Sequence, residues 1–144
     1  MPGPILLHSL DDARTALAAA AALGVPVTLA SAPGAAGYAG PAWFGEVIAA
    51  ARSEHPSVSV TAVLDCGDAP GHVMAAVRWA ITAGGEPFIL RFTGDPARDT
   101  ALREIAGAAG LRLIRALEPG LDLRRARDSA EACRTWLAGV AASS

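Results

Sequence analysis

The chain contains no lysine: all 12 of its basic residues are arginine. A Schiff-base mechanism needs a lysine amine, and a Walker-type phosphate loop needs its own lysine. Imine-forming lyase chemistry, pyridoxal chemistry and P-loop nucleotide hydrolysis are therefore excluded. GC-rich coding favours arginine and alanine, and the exclusion holds whatever the cause of the bias. Cysteine is scarce too, and Cys66 and Cys133 are too few for a disulfide framework. Aromatic residues make up only 5% against 52% hydrophobic, so the core is built largely from small side chains, alanine above all. No unbroken run of about 18 apolar residues is present to span a bilayer, and Met1-Pro2-Gly3-Pro4 lacks the positive start of a secretory signal. Neither charge sign dominates. The 12 basic and 14 acidic residues are dispersed, without the basic stripe of a nucleic-acid binder or an acidic tail for a basic partner. The expectation is a cytoplasmic protein without nucleic-acid or membrane partners.

A chain of 144 residues predicts one domain, able to bury about 68–70% of its unfolded surface. Along it, short apolar runs alternate with helical stretches. Strands are expected at Pro4–His8, Pro26–Ala30, Val58–Leu64, Pro87–Phe92 and Leu111–Ala116. The first helix opens at Asp11 or Asp12 and ends at Leu23, with Gly24 as its C-cap. Further helices are expected over Pro41–Glu54, Gly71–Ala83 (closed by Gly84-Gly85), Pro96–Ala109 (closed by Gly110) and Asp128–Val140, capped by Ser129 or Asp128. Continuous apolar strands between helices imply a parallel sheet covered by helices. Trp43 and Phe44, Trp79 and Trp136 fall on these helices and are expected to pack between helices or against the sheet.

The most informative stretch is Ser59-Val60-Thr61-Ala62-Val63-Leu64-Asp65-Cys66-Gly67-Asp68. An apolar strand ends there in two carboxylates around a thiol and a glycine, at the carboxyl end where parallel α/β folds keep their sites. Asp65 can serve as a general acid–base, or can cap the strand end by accepting backbone N–H bonds. Cys66 can donate a thiolate to zinc, with Asp65, Asp68 and His72 as neighbouring ligands, although the spacing matches no standard zinc pattern. Otherwise it is an inert buried thiol. The loop Ser31-Ala32-Pro33-Gly34-Ala35-Ala36-Gly37-Tyr38-Ala39-Gly40 lies between a strand and a helix, where backbone amides can receive a small anion. Ser31, Gly34, Gly37 and Asp68 are its candidate ligand-binding residues. The glycine spacing is not the dinucleotide pattern, and the alternative is a tight structural loop. His8 and His55 carry weaker signals.

The order of these segments resembles class II (metal-dependent) aldolases of the fructose and tagatose bisphosphate type. Gly24-Val25-Pro26-Val27-Thr28-Leu29-Ala30, then Tyr38-Ala39-Gly40, Glu54-His55-Pro56 and Val60–Asp68 fall in the same sequence as the family's Ala-Pro-Val strand, Tyr-Ala-Gly loop, Tyr-Pro helix exit and Leu-Asp-His-Gly-Asp strand end. The likeness runs from Pro4 to Gly85, and more loosely to Gly120. It implies a catalytic acid–base at Asp65. It also implies a divalent metal, zinc or another, held in part by Cys66, with His72 as the neighbouring candidate, and a small (phospho)sugar substrate. The departures weigh against that chemistry. Leu6 stands where the family has asparagine, Cys66 where it has a metal-binding histidine, and Ile89-Leu90-Arg91-Phe92 where it has an aspartate near the strand end. The chain looks like the first half of such a barrel, truncated and degenerate, since eight units take about 250 residues.

The expected fold is thus a parallel sheet of about five βα units in the order of the first barrel strands, with a flavodoxin-like order 2-1-3-4-5 as the alternative. The expected function is a non-catalytic small-ligand or assembly module that needs no cofactor. Its alternative is a metal-dependent carbon–carbon lyase using Asp65. Five open strands leave edges and an apolar face to cover, which favours a homodimer.

Overall fold

The computed structural model describes residues 3–84 and 88–143. Gly85 and Pro87, assigned above to a helix cap and a strand start, lie outside the described residues. Strands are β1 Ile5–Leu7, β2 Val27–Ser31, β3 Val60–Asp65, β4 Ile89–Arg91, β5 Leu113–Ile114 and β6 Leu121–Asp122. Helices are α1 Leu10–Leu23, α2 Ala35–Tyr38, α3 Pro41–Glu54, α4 Pro70–Ala83, α5 Asp99–Ala108 and α6 Ser129–Ser143. The described strands form one six-stranded parallel sheet in the order β5-β4-β3-β2-β1-β6, with β5 and β6 at its ends, so it does not close into a barrel. β1 does not lie between β2 and β3, which sets aside the flavodoxin-like order. β2 is buried at every position, as a strand covered on both faces must be.

Local chemistry explains most element ends. Ser9 has extended backbone angles and its side chain accepts from the Asp12 amide, so Ser9 is the N-cap of α1, two residues ahead of Asp11, the first aspartate expected to open it. Gly24 closes α1 at φ 65° and Gly84 closes α4 at φ 63°, conformations that cost an L side chain but not glycine. Asp128 accepts from the Glu131 amide and caps α6. The helix expected over Pro96–Ala109 is divided: Pro96–Arg98 is a 3-10 turn capped by Asp95, and the α-helix begins at Asp99.

β6 is the main departure from the sequence reading, which expected five strands. Two residues between Pro119-Gly120 and an arginine-rich turn are too few to show a strand pattern. Partner geometry creates the strand instead. The Leu121 amide donates to the Pro4 carbonyl at 2.9 Å, and Leu121 and Asp122 sit opposite Ile5 and Leu6. A Cβ on Gly120 would collide with the Pro4 carbonyl oxygen and reach 2.5 Å from Leu6 Cδ1, so only glycine permits this approach.

Internal contacts gather the chain into two compact units. One contains the run through Ala30, Glu46–Ala62 and the run from Glu118; the other contains Ser31–Gly45 and Val63–Leu117. In the first, α6 packs along α1, where Ala13, Ala16, Leu17 and Ala20 are fully buried and the alanines let the backbones come close. His8 Nε2 lies 2.7 Å from Asp122 Oδ1, joining the ends of β1 and β6. The Trp136 indole donates to the Gly3 carbonyl at 3.2 Å. In the second unit Phe88 is the aromatic hub. Trp79 stacks on it with ring centroids 5.3 Å apart, and Phe44 meets it edge-on at 5.4 Å.

Gly120→Ala should destabilise the fold by about 1–3 kcal/mol, the usual cost of forcing atoms into an occupied space. Urea unfolding measures it, and a midpoint equal to that of the parent would show that β6 does not seat on β1 through this contact.

Candidate functional site

The second unit brings the carboxyl ends of β2, β3 and β4 together with the 31–40 loop, and Asp65 is the hub. Its side chain is 8% exposed. Oδ1 accepts the Gly34 amide at 2.9 Å and the Gly67 amide at 2.8 Å, while Arg91 Nη1 donates to Oδ2 at 3.3 Å. The Asp65 backbone amide in turn donates to Ser31 Oγ at 2.9 Å, and that hydroxyl donates to the Ala32 carbonyl. One carboxylate therefore ties two loops to the last turn of the strand. Both amides belong to segments shaped by glycine: Gly34 adopts φ 71° and Gly67 φ 61°.

The proposed ligand-binding residues are placed unequally. Ser31 is 3% exposed and its hydroxyl is already bonded on both sides. Gly34 gives its amide to Asp65. Gly37 lies against the His72 ring, which a Cβ there would strike. Asp68 is exposed, and its carbonyl lies where a Cβ on Gly94 would go. The expected loop is not irregular throughout, since Ala35–Tyr38 forms a single helical turn.

The metal candidates do not assemble into a donor set. Cys66 is fully buried; its sulfur contacts the Leu64 carbonyl at 3.9 Å. Burial, helped by the neighbouring Asp65 charge, pushes its thiol up to about 12, so the thiolate a metal needs is strongly disfavoured. His72 directs Nδ1 at the Cys66 carbonyl oxygen, 3.3 Å away, and not at its sulfur. Asp65 is held by amides and a guanidinium. Among the described residues no three His, Cys, Asp or Glu side chains gather as a metal set. These residues do not fit a divalent cation.

Arg91 is the site residue that the strand reading treated only as a departure. It pairs with Asp65 and also donates from Nε to the Arg115 carbonyl at 3.0 Å. The signal was visible as a charged residue interrupting an apolar strand. Arg115, one strand further, grips Asp99 through two bonds at 2.8 and 3.1 Å, donates to the Gly94 carbonyl, and lies 5.6 Å from the centre of the Phe92 ring. That pairing lowers the Asp99 carboxyl below its ordinary value and raises the Arg115 guanidinium. A fixed strut thus supports the end of β4, and Arg91 keeps 28% of its side chain exposed beside Asp65.

No protein-family model matches the chain, and no curated protein matches it. By structure, 21 solved chains do. One of these, from Coccidioides immitis and provisionally described as a fructose-1,6-biphosphate aldolase, has 21% identity and a TM-score of 0.61 over 78% of this chain. The chain spans 44% of that protein's length. The likeness establishes an aldolase-like α/β fold. Among the described residues no helix is long and apolar enough to cross a membrane.

Two outcomes follow from this geometry. Asp65→Ala should cost about 3 kcal/mol, because it strands two amides and a guanidinium, whereas Asp65→Asn, which keeps an oxygen for the amides, should cost less; chemical denaturation ranks them. Cys66 and Cys133, whose thiols are pushed up to about 12 and about 11 chiefly by burial, should resist a thiol reagent at pH 8 until the protein unfolds. A thiol raised in the folded state leaves stability intact below its unfolded value, about 8.5, and removes it as pH climbs toward the folded value. Stability should therefore fall above about pH 9, which urea titrations at stepped pH would show.

Proposed function

Taking the aldolase-like fold as its frame, we propose that this protein is a non-catalytic member of the class II aldolase lineage that binds a small anionic molecule and assembles as a homodimer. The observation that carries this reading is the state of Asp65. Its two oxygens are committed to two loop amides and a guanidinium, so the carboxylate works as a fastener for the strand ends. Where the resemblance implies an aspartate near the end of the fourth strand there is Arg91, a cation that would repel a divalent metal. The residues facing Asp65 supply positive charge from the protein itself.

The same replacement supports an anionic ligand. Nε and Nη1 of Arg91 are bonded within the site, and Nη2 takes part in neither bond. That guanidinium edge is suited to a carboxylate or phosphate. The homodimer rests on the open sheet, whose outer strand β5 is only Leu113–Ile114. A second copy would cover that strand edge.

Fructose 1,6-bisphosphate incubated with the purified protein, with and without added zinc or cobalt, should yield no triose above the protein-free control. Metal analysis of the protein as purified should find no stoichiometric metal. Cleavage, or stoichiometric metal that disappears in Cys66→Ser, would overturn the non-catalytic reading in favour of a metal-dependent lyase. Light scattering should give about twice the 14.5 kDa chain mass; a chain-mass particle that persists on concentration would remove the dimer.

A further inference from the structure

The first unit contains a groove of about 1180 Å³ at the amino ends of β1 and β6, walled by α6, and nothing in the strand-end site uses it. Its apolar lining includes Pro26, Pro119, Leu121, Trp136 and Val140. The walls are locked to one another. Trp136 spends its only polar atom on the Gly3 carbonyl, which fixes the indole plane and leaves apolar faces. A Cβ on Gly3 would collide with the Pro119 carbonyl and come within 3.0 Å of Trp136 Cζ2, so these three residues are already in close contact. Prolines hold their backbone angles. A groove with such walls loses little freedom when filled, and its volume is somewhat above that of ordinary small-molecule sites.

Charge selects the occupant. Among the described residues, Glu118, Asp128 and Glu131 line the groove against a single cation, Arg127, and all four are exposed. An anion entering here meets an excess of carboxylates, and a cation meets attraction and the face of a tryptophan. We propose that this groove binds a compact apolar molecule carrying an amine cation, its apolar body against Trp136 and its ammonium toward Glu118 and Glu131. Asp128 contributes charge while remaining the cap of α6.

Calorimetric titration with 2-phenylethylamine and with hexylamine tests this, with 3-phenylpropionate as the probe of reversed charge. At least one amine should bind saturably and the carboxylate should not. Replacing both Glu118 and Glu131 with glutamine should weaken the amine about three- to tenfold, the effect of losing exposed ion pairs. Gly139→Phe should abolish binding: Gly139 lines the groove, and a Cβ there meets no heavy atom within 4 Å, so the ring can enter without forcing the helix. A circular dichroism melt of each variant confirms that it is folded. Failure of both amines to bind, equal binding of the carboxylate, or unchanged affinity in a folded Gly139→Phe would each overturn the proposal.

Discussion

The carboxylate of Asp65 is the constraint on which the strand-end region depends. Backbone amides that turn away from a sheet must find acceptors or water, and Gly34 and Gly67 both find the same oxygen. The charge gathered there would be costly at 8% exposure without a partner. Arg91 provides that partner, and its own orientation is set by the Arg115 carbonyl on the next strand. Ser31 fixes the strand from the other side. Loop, strand end and cation thus form one bonded chain of groups, in which each member satisfies a demand created by the previous one.

Much of this was legible in the sequence, for physical reasons that differ from place to place. The helix–strand alternation was clear because apolar runs such as Val60–Leu64 are bounded by Gly and Pro, and Gly24 and Gly84 mark left-handed caps that few other residues tolerate. The role of Asp65 as an acceptor of strand-end amides was one of two readings that Asp-Cys-Gly-Asp allowed. Its partner could not be read, because Arg91 lies 26 residues away in sequence and pairing across strands depends on register. β6 was illegible for a related reason. Leu121-Asp122 has no strand character of its own, and its conformation is imposed by Pro4 and by the missing side chain of Gly120.

An aldolase-like scaffold does not by itself carry metal-dependent chemistry. The scaffold is specified by apolar strands and small-residue helices, which tolerate many sequences. Metal-dependent chemistry needs a few donors at fixed distances, and among the described residues no such set gathers. A buried thiol with its pKa pushed up and a histidine turned to a carbonyl oxygen stand at the two candidate ligand positions. A guanidinium pairs with the carboxylate of Asp65. Charge at Asp65 is balanced within the protein, by Arg91.

The pairing of β1 with β6 also has a kinetic consequence. His8 and Asp122 are 114 residues apart in sequence, so β1 is completed by a strand synthesised long after it. Long-range pairings of this kind slow folding, because the loop they close must be ordered before the contact repays it. The unit that contains β1 is assembled from three separated stretches of chain, whereas the other draws on two. During synthesis the edge of β1 stays open until residue 121 has left the ribosome, and an unpaired edge is open to wrong partners. The alanine-rich α1 that follows at once, capped at both ends by Ser9 and Gly24, is local structure that can form early and shield part of that strand while it waits.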